Sequence, residues 1–286
     1  MFMEEGFFMT KYAITGATGR FGQNALKKLV ELVPATDVVA LARNTQKAQA
    51  TVPSGVEVRL GDYNDVEQLT ESLQGIDKLL FVSSQPGGKV ARATQHENVV
   101  AAAKNAGVKY IAYTSFPHAD TATAPLASDH QVTEKLIKES GIAYSFLRNN
   151  WYLENEVDSL KTAATQGLVY SADGKVGWAL ESEYSEAAAL VLAQNNPKKI
   201  YEFAGKSRTY QDLADALKVK ATKLSDAEYS QLLQKSGIDE GTIQVILSIQ
   251  DLITQGNLTE DTNDLPEVLG RELTPLSEAL ETIVGK

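Results

Sequence analysis

The segment TGATGRFG, residues 15–22, constrains the fold of this chain more than any other part of its sequence. It follows the apolar run KYAIT directly and opens a helical pattern from about Gly19 to Val33. Gly16 permits a sharp strand-to-helix turn, Gly19 lets a ligand approach the backbone, and Gly22 lets the helix pack closely. We therefore predict a strand, a tight turn and a helix whose free N–H groups face a phosphate.

Beyond this turn, short β-rich runs alternate with longer helical patterns. Strands are predicted at DVVALA, VEVRL, KLLFV, YIAYTS and IAYSFLR, and helices at residues 45–50, 65–73, 90–106 and 129–140. Near-continuous apolar runs are typical of parallel strands that helices cover on both faces. The predicted fold class is therefore α/β, with a doubly wound parallel Rossmann sheet.

The alternation weakens after Tyr152. GLVYSADGKVGWAL is predicted to form a short hairpin or a loop, and further helices are predicted at residues 183–194, 210–217, 227–235 and 240–256. We predict a dinucleotide-binding domain over residues 10–152 and a smaller, mostly helical lobe over residues 153–286 on the substrate side. This lobe can also return strands to the main sheet.

Composition excludes several classes of function. The formal net charge of −10 argues against direct nucleic-acid binding, because such affinity depends on Lys and Arg neutralising phosphates. The chain has no cysteine, and its three histidines lack metal-ligand spacing, so we predict no metal site. The leader MFMEEGFFMTKY does not resemble a signal peptide, and no run approaches the roughly 18 apolar residues of a membrane span. We expect a cytoplasmic protein without membrane contact that acts on a small molecule.

Arg43 predicts which dinucleotide is preferred. A site for NAD places Asp or Glu at the end of the second strand, where the carboxylate binds the ribose 2′-hydroxyl. Arg43 offers forked donors to a 2′-phosphate instead, and Lys47 adds a second positive charge one turn later. We therefore predict NADP(H) as cofactor, with a solvated surface charge as the alternative role of Arg43.

The proton-donating motif of a typical short-chain dehydrogenase is absent. Such enzymes carry Y-x-x-x-K, in which the Tyr donates a proton and the Lys lowers its pKa, and no such pattern occurs in this sequence. The corresponding stretch reads YTSFPHADTATAPLASDHQVTEKL. Ser115 matches the usual serine, whereas His130 and Glu134 stand in place of the Tyr–Lys pair.

The motif set resembles the NmrA-like branch of the atypical short-chain dehydrogenase/reductase family. It comprises TGATGRFG, ALARN, GDYND, AYTSFPHAD, SFLRNNWYLEN and LGRELTPLSEAL, and it extends from Lys11 over nearly the whole chain. RN-x-WY-x-EN combined with AYTS-x-x-H-A-D is similar to the type-2 NADPH:quinone oxidoreductases within that branch. These commonly read RNGWY, whereas Asn150 stands at the glycine here.

The resemblance implies direct hydride transfer from NADPH to a quinone without a flavin. The product is a phenolate-like anion, and because a phenol has a pKa of about 10, a strong general acid is dispensable. The catalytic residues that we expect are Asn149, Tyr152 and His130. The cofactor-binding residues that we expect are Gly16, Thr18, Gly19, Arg20, Phe21, Gly22, Arg43, Asp62, Tyr63, Ser83, Ser84, Asn149 and Trp151.

Several alternatives stay open from the sequence. NmrA-like proteins also include redox sensors that bind NADP without turnover, and the acceptor could be another activated compound such as an enone or aldehyde. Asn64 or Asp65 could cap a helix next to Asp62. Trp151 and Tyr152 could serve in hydrophobic packing. Three other residues have open roles: Tyr113 and His130 could be structural or functional, and His118 is expected to order its loop.

Overall fold

The structure is a computed structural model that describes residues 9–285. The leader segment before Met9 lies outside the described residues. None of the helices described is both long and apolar enough to cross a membrane.

Strands and helices alternate through the first part of the chain, and helices predominate in the second part. The strands are β1 Tyr12–Ile14, β2 Val38–Ala42, β3 Glu57–Leu60, β4 Lys78–Phe81, β5 Tyr110–Ser115, β6 Ala143–Asn149, β7 Leu168–Tyr170, β8 Ile200–Phe203 and β9 Ala221–Lys223. The α-helices are α1 Arg20–Leu32, α2 Thr45–Gln49, α3 Val66–Ser72, α4 Arg92–Ala106, α5 Ser128–Ser140, α6 Val157–Gln166, α7 Glu181–Ala193, α8 Tyr210–Leu217, α9 Asp226–Lys235, α10 Glu240–Thr254, α11 Asp264–Leu269 and α12 Leu276–Val284. Short 3₁₀ helices cover Ala35–Asp37, Pro125–Ala127 and Leu153–Glu156.

The main sheet has seven strands in the order β3-β2-β1-β4-β5-β6-β8. β1 pairs in parallel with both β2 and β4, and β3 and β5 continue the parallel pairing outward from these two strands. The strand order therefore reverses at β1, which is where doubly wound sheets bind their ligands. The predicted α/β class with a doubly wound Rossmann sheet is confirmed.

Residues 168–180 do not form the hairpin that the sequence left open. β7 pairs in parallel with β9, more than 50 residues later, in a separate two-stranded sheet. The hairpin alternative is wrong because a parallel pair requires a long crossover, and no local turn signal announces the distant partner. Sequence periodicity also missed β8, β9, α6, α11 and α12, whereas the predicted helix at residues 210–217 coincides with α8.

The chain divides into two compact units. The first comprises the chain up to Ser115 together with Ser128–Leu147 and Ser185–Tyr201; the second comprises Phe116–Ala127, Arg148–Tyr184 and the chain from Glu202 onward. The first unit has a core that includes Leu79, Phe81 and Ile111, and the second has its own core around Trp178 and Leu252. The predicted division at residue 152 stays a prediction.

The start of α1 lies against the turn that precedes it, and Gly22 makes this possible. A Cβ atom at Gly22 would lie 2.3 Å from the Gly16 carbonyl oxygen and 2.8 Å from its carbon. Both contacts are with backbone, which cannot rotate away as a side chain can. Gly16 itself has a φ of 63°, in the left-handed region that glycine adopts without strain.

We predict that Gly22→Ala destabilises the protein by about 1–3 kcal/mol, because the added methyl group must push the turn away from α1. The free energy of unfolding from urea titration measures the effect. Gly88→Ala is the matched control, since a Cβ there meets no atom closer than 3.7 Å. Equal stability of the two variants would contradict the close packing at Gly22.

Candidate cofactor and active site

The turn between β1 and α1 leads into a helix N-terminus that has no side-chain cap. Gly19 is the N-cap of α1 and provides no side-chain cap, and the first turn of this helix has no acidic residue. Gly19 and Arg20 are exposed, and Thr18 is half-buried. Because the N-terminus of a helix carries partial positive charge and unpaired N–H groups, this turn fits an anionic group such as a pyrophosphate.

Two of the predicted cofactor-binding residues in this turn are buried. Phe21 is 6% exposed and Gly22 is also buried. Phe21 therefore adds to the hydrophobic core at the start of α1, and the backbone of the turn offers the surface that a ligand can reach.

Tyr63 joins the ends of β1 and β4. Its hydroxyl lies 2.6 Å from the Val82 carbonyl oxygen and also contacts Thr15 Oγ1, which accepts a hydrogen bond from the Val82 N–H at 2.9 Å. Burial raises the pKa of Tyr63, against the opposing effects of Thr15 and the positive charge of Arg43. The hydroxyl is thus committed to the protein, and the ring is the part of Tyr63 that remains for a ligand.

Arg43 follows β2 directly and is exposed, as is Lys47. Asn44, between them, caps α2 by accepting a hydrogen bond from the Lys47 N–H at 2.9 Å. The two positive side chains are therefore close together in the sequence and exposed, which suits a phosphate group.

The GDYND segment divides its roles between two aspartates. Asp65 caps α3 by accepting from the Gln68 N–H at 3.0 Å, so the helix-cap alternative holds for Asp65. Asp62 accepts from both the backbone N–H and the side-chain amide of Asn64, at 3.0 and 2.9 Å. Asp62 therefore orders the turn that precedes the cap.

Ser83 and Ser84 follow β4 and are held through their backbone N–H groups. Ser83 donates to Thr114 Oγ1 at 2.9 Å, and Ser84 donates to His96 Nε2 at 3.0 Å. His96 lies on α4 and is completely buried. The sequence does not single out His96, because no local pattern relates it to a loop twelve residues earlier.

A buried cluster of polar side chains surrounds His96. Its Nδ1 lies 2.8 Å from Thr133 Oγ1, and the Tyr113 hydroxyl lies 2.9 Å from His130 Nδ1. Burial lowers the pKa of His96 to about 3, and it also lowers the pKa of His130 well below its usual value. The charge of Arg92 acts in the same direction on both rings, so both are neutral at pH 7.

The Ser115 hydroxyl donates its hydrogen bond within the protein, whereas the short-chain dehydrogenase pattern predicts that it contacts the substrate. Its hydroxyl donates to Glu134 Oε1 at 2.7 Å, and Glu134 is only 2% exposed. His130 and Glu134, the residues expected in place of the Tyr–Lys pair, therefore have separate partners. Glu134 pairs with Ser115, and His130 pairs with Tyr113.

Asn149, the last residue of β6, holds an unpaired acceptor. Its Nδ2 donates to the Tyr152 hydroxyl at 3.0 Å, whereas its Oδ1 is buried without a hydrogen-bond partner. An unpaired buried acceptor costs about 1–3 kcal/mol, so a ligand with an N–H or O–H donor would relieve the cost. Burial raises the pKa of Tyr152, which keeps its phenol protonated.

The indole of Trp151 is held by the buried carboxylate of Glu156. Its indole N–H donates to Glu156 Oε1 at 3.2 Å, and its ring packs against the core of the second unit. Glu156 also accepts from the Tyr210 hydroxyl at 3.1 Å and lies 3.4 Å from the Trp178 indole nitrogen. The orientation of Trp151 is thus set by a polar group that the sequence did not single out.

Asn150, which stands where the sequence resemblance predicted a glycine, lies there without backbone strain. It is not among the described residues that have positive φ, so the position does not require glycine. Its N–H donates to the Phe203 carbonyl at 2.8 Å, and its side-chain amide donates to the Leu258 carbonyl at 3.2 Å. The asparagine therefore adds a contact within the second unit.

His118 orders its loop through two glutamates. It has a φ of 48°, its N–H donates to Glu202 Oε2 at 3.1 Å, and its Nε2 lies 2.6 Å from Glu260 Oε2. These three side chains bring possible metal-ligating atoms within 4.8 Å of one another. Arg148 Nη1 lies 2.8 Å from Glu202 Oε1. The guanidinium therefore already balances the negative charge of this carboxylate, as a metal ion would.

Comparison with known proteins agrees with this geometry. Residues 16–176, more than half of the 286 residues, match the profile of the NAD(P)H-binding family. The chain is 41% identical over 278 residues to quinone oxidoreductase 2 of Escherichia coli. The aligned region covers 94% of this chain and 96% of that relative.

Two solved structures extend the similarity to three dimensions. The NADPH-dependent quinone oxidoreductase of Escherichia coli, complexed with NADPH, superposes with a TM-score of 0.88 and 40% identity over 95% of this chain and 99% of that one. The triphenylmethane reductase of Citrobacter sp., complexed with NADP(H), gives a TM-score of 0.89 and 34% identity over 96% and 99%. The resemblance predicted from the sequence motifs is confirmed.

The two buried histidines predict that stability falls in mild acid. Their pKa values are lower in the folded chain than in the unfolded chain, so the unfolded chain binds more protons below about pH 6.5. Stability is therefore present above pH 6.5 and is lost as the pH falls toward the folded pKa values, by about 1.4 kcal/mol per pH unit for each histidine.

Urea unfolding between pH 7.5 and 5.5 measures this dependence. His130→Gln should remove the share of one histidine from the slope, about 1.4 kcal/mol per pH unit, whatever its effect on stability at pH 7.5. Carboxylates that titrate in the same range contribute equally to both proteins and cancel in the comparison. An unchanged slope would show that His130 is not held neutral in the folded protein.

Proposed function

The chain belongs to the NAD(P)H-binding family, and on that premise we propose that it transfers a hydride from NADPH to a quinone without a flavin. The observation that carries the cofactor part is the uncapped, glycine-rich turn at β1, where the strand order of the sheet reverses. The acceptor class is supported by the name of the relative that shares 41% of its residues over nearly the whole length.

For the cofactor, the proposal assigns the pyrophosphate to the N-terminus of α1. Gly16, Thr18, Gly19 and Arg20 surround this terminus, and the close packing at Gly22 keeps the turn narrow. Arg43 pairs with the 2′-phosphate, since a guanidinium matches the geometry of a phosphate group. The remaining cofactor contacts are proposed for Phe21, Asp62, Tyr63, Ser83, Ser84, Asn149 and Trp151.

At the reacting end, we assign contacts with the nicotinamide and the acceptor to Asn149, Tyr152 and His130. Asn149 Oδ1 is a buried acceptor without a protein partner, which suits an amide or hydroxyl donor on a ligand. Tyr152 keeps its proton because burial raises its pKa, so its phenol stays neutral. These groups orient the reactants, and NADPH supplies the hydride when bound.

The chemistry balances without a strong acid in the protein. The quinone gains a hydride, which is two electrons and one proton, and becomes the hydroquinone monoanion while NADPH becomes NADP⁺. A second proton from solvent completes the hydroquinone. Since the pKa of a phenol is about 10, hydrogen bonds suffice to stabilise this anion, and the absence of Y-x-x-x-K is consistent with the proposal.

A second acceptor class has a specific observation in its favour. The Citrobacter protein with 34% identity over 96% of the chain is named a triphenylmethane reductase. Like a quinone, a triphenylmethane cation is a conjugated hydride acceptor, and its reduction needs no proton donor. The proposed cofactor site is the same for both classes, so the choice of acceptor must be measured directly.

Purified protein should oxidise NADPH when benzoquinones or naphthoquinones are added, and more slowly with triphenylmethane dyes. The decrease in NADPH absorbance, corrected for the rate without protein, measures turnover. NADPH binding that is tight but without turnover on any acceptor would contradict the proposal and favour a redox sensor. Faster turnover of the dyes would transfer the assignment to the second acceptor class.

Arg43→Ala should raise the KM for NADPH about 10- to 100-fold, which corresponds to the loss of a charge-assisted hydrogen bond of about 1.5–3 kcal/mol. The KM for NADH should change little, because NADH has no 2′-phosphate. Lys135→Ala is the matched control, since its side chain is 75% exposed on α5. A parallel rise in both KM values would refute the contact between Arg43 and the phosphate.

A further inference from the structure

A cavity of about 550 Å³ lies in the first unit, at the edge of the sheet opposite the cofactor turn. Its wall includes Lys78 and Tyr110, which are the first residues of β4 and β5, and residues 141–144 before and within β6. β1, whose carboxyl end leads into the cofactor turn, runs parallel to β4, and β4 runs parallel to β5. The cavity is therefore separate from the site assigned to NADPH.

The charged side chains that line this cavity, among the residues that the structure describes, are all lysines: Lys78, Lys138 and Lys199. We propose that the cavity is a second ligand site, which binds the phosphate chain of a polyphosphate compound. The chain as a whole has a net charge of −10, so its composition does not predict a cavity lined by positive charges alone. A cleft lined by charges of one sign attracts ligands of the opposite sign.

Strong ion pairs do not neutralise these three ammonium groups. In the described part of the chain, no carboxylate lies within 4.0 Å of the ammonium of Lys78 or Lys199. Lys138 Nζ lies 3.9 Å from Glu134 Oε2, at the limit of an ion pair, and the other oxygen of Glu134 accepts from the Ser115 hydroxyl. Most of the positive charge in the cavity therefore remains for a ligand.

Lys78 is held firmly at the wall of the cavity. Its Nζ donates to the Gln194 carbonyl at 2.7 Å and to the Leu192 carbonyl at 3.2 Å, at the end of α7. The ring centroids of Tyr12 and Tyr110 lie 5.8 and 5.7 Å from the same nitrogen. These contacts use two of the three N–H groups of the ammonium and fix its position before a ligand arrives.

The surroundings of Lys78 also favour an anion in the cavity. Burial lowers the pKa of Lys78, and the negative charge of Asp77 acts in the opposite direction without contacting the ammonium. A second negative charge nearby would stabilise the charged form of Lys78 further. A bound phosphate group would supply that charge.

Lys138 and Lys199 are placed on two different aromatic rings. Lys138 Nζ lies 5.2 Å from the ring centroid of Phe146, and Lys199 Nζ lies 5.9 Å from that of Tyr144. The two rings stack on each other with centroids 4.4 Å apart. The ammonium groups are therefore held at separate points, which suits a chain of phosphates better than a single phosphate.

The loop after α7 adds neutral hydrogen-bond donors to the wall. The Tyr201 hydroxyl donates to Gln194 Oε1 at 3.2 Å, so the Nε2 group of this amide is left for another acceptor. Asn195 and Asn196 also line the cavity and are exposed. Amide donors next to lysines are suitable partners for phosphate oxygens.

Titration calorimetry with tripolyphosphate tests the site without any reference to activity. The protein is first saturated with NADP⁺, because the N-terminus of α1 would otherwise bind phosphate as well, and divalent cations are left out. We expect one tripolyphosphate to bind per chain, with an affinity that falls as salt is added, since the contacts are between charges. The absence of binding at low salt would overturn the proposal.

Two lysine variants locate the bound anion. Lys138→Gln and Lys199→Gln should each raise the Kd for tripolyphosphate about 3- to 10-fold, as expected for the loss of one charged contact at a partly exposed position. Lys135→Gln is the matched control, because it removes the same charge from α5 at a side chain that is 75% exposed and lies outside the cavity. Equal Kd values in the three variants would show that tripolyphosphate responds only to overall charge, and the proposed site would be refuted.

A nucleoside triphosphate distinguishes the two sources of a phosphate chain. Equal affinity for tripolyphosphate and the nucleotide, with the same losses in the lysine variants, would show that the site recognises the phosphates alone. Tighter binding of the nucleotide with the same losses would show that the cavity also contacts its sugar or base. Turnover of NADPH measures the proposed function separately, so neither result decides the other.

Discussion

The close approach of Gly22 to the Gly16 carbonyl is the contact on which the cofactor edge of this protein depends. A methyl group at Gly22 would lie 2.3 Å from the Gly16 carbonyl oxygen, so a side chain at that position would force the turn between β1 and α1 to shift. The turn brings the uncapped N-terminus of α1 to the point where the strand order reverses. Side chains such as Tyr63 and Arg43 lie around this helix N-terminus, but its position depends on the turn itself.

Burial is used differently in the two units. In the first, a connected set of hydrogen bonds satisfies the polar atoms of His96, Thr133 and Tyr113 and leaves neutral rings in a core from which water is excluded. In the second, Asn149 keeps an acceptor unpaired. Satisfied networks restrict orientation and protonation state, whereas an unpaired atom marks a place that a ligand can complete.

The loss of the Tyr–Lys pair has a consistent physical explanation. Reduction of a simple ketone produces a strongly basic alkoxide and requires an acid, whereas reduction of a quinone produces a weakly basic anion. Ser115 is committed to Glu134, and His130 is neutral, so the residues in the place of the pair are arranged for hydrogen bonding. This arrangement agrees with the acceptor class that we propose.

Local sequence determined much of the fold and of the cofactor edge. The glycine spacing at residues 15–22 and the apolar runs predicted the doubly wound sheet, because turn geometry and burial on both faces of a strand depend on neighbouring residues. Tertiary structure alone decided the pairing of β7 with β9 and the position of β8. It also decided that Trp151 bonds to Glu156 and that His96 bonds to Ser84, because folding brings these residues together. Strand partners and buried hydrogen bonds depend on which distant residues meet, and no periodicity within a segment encodes that.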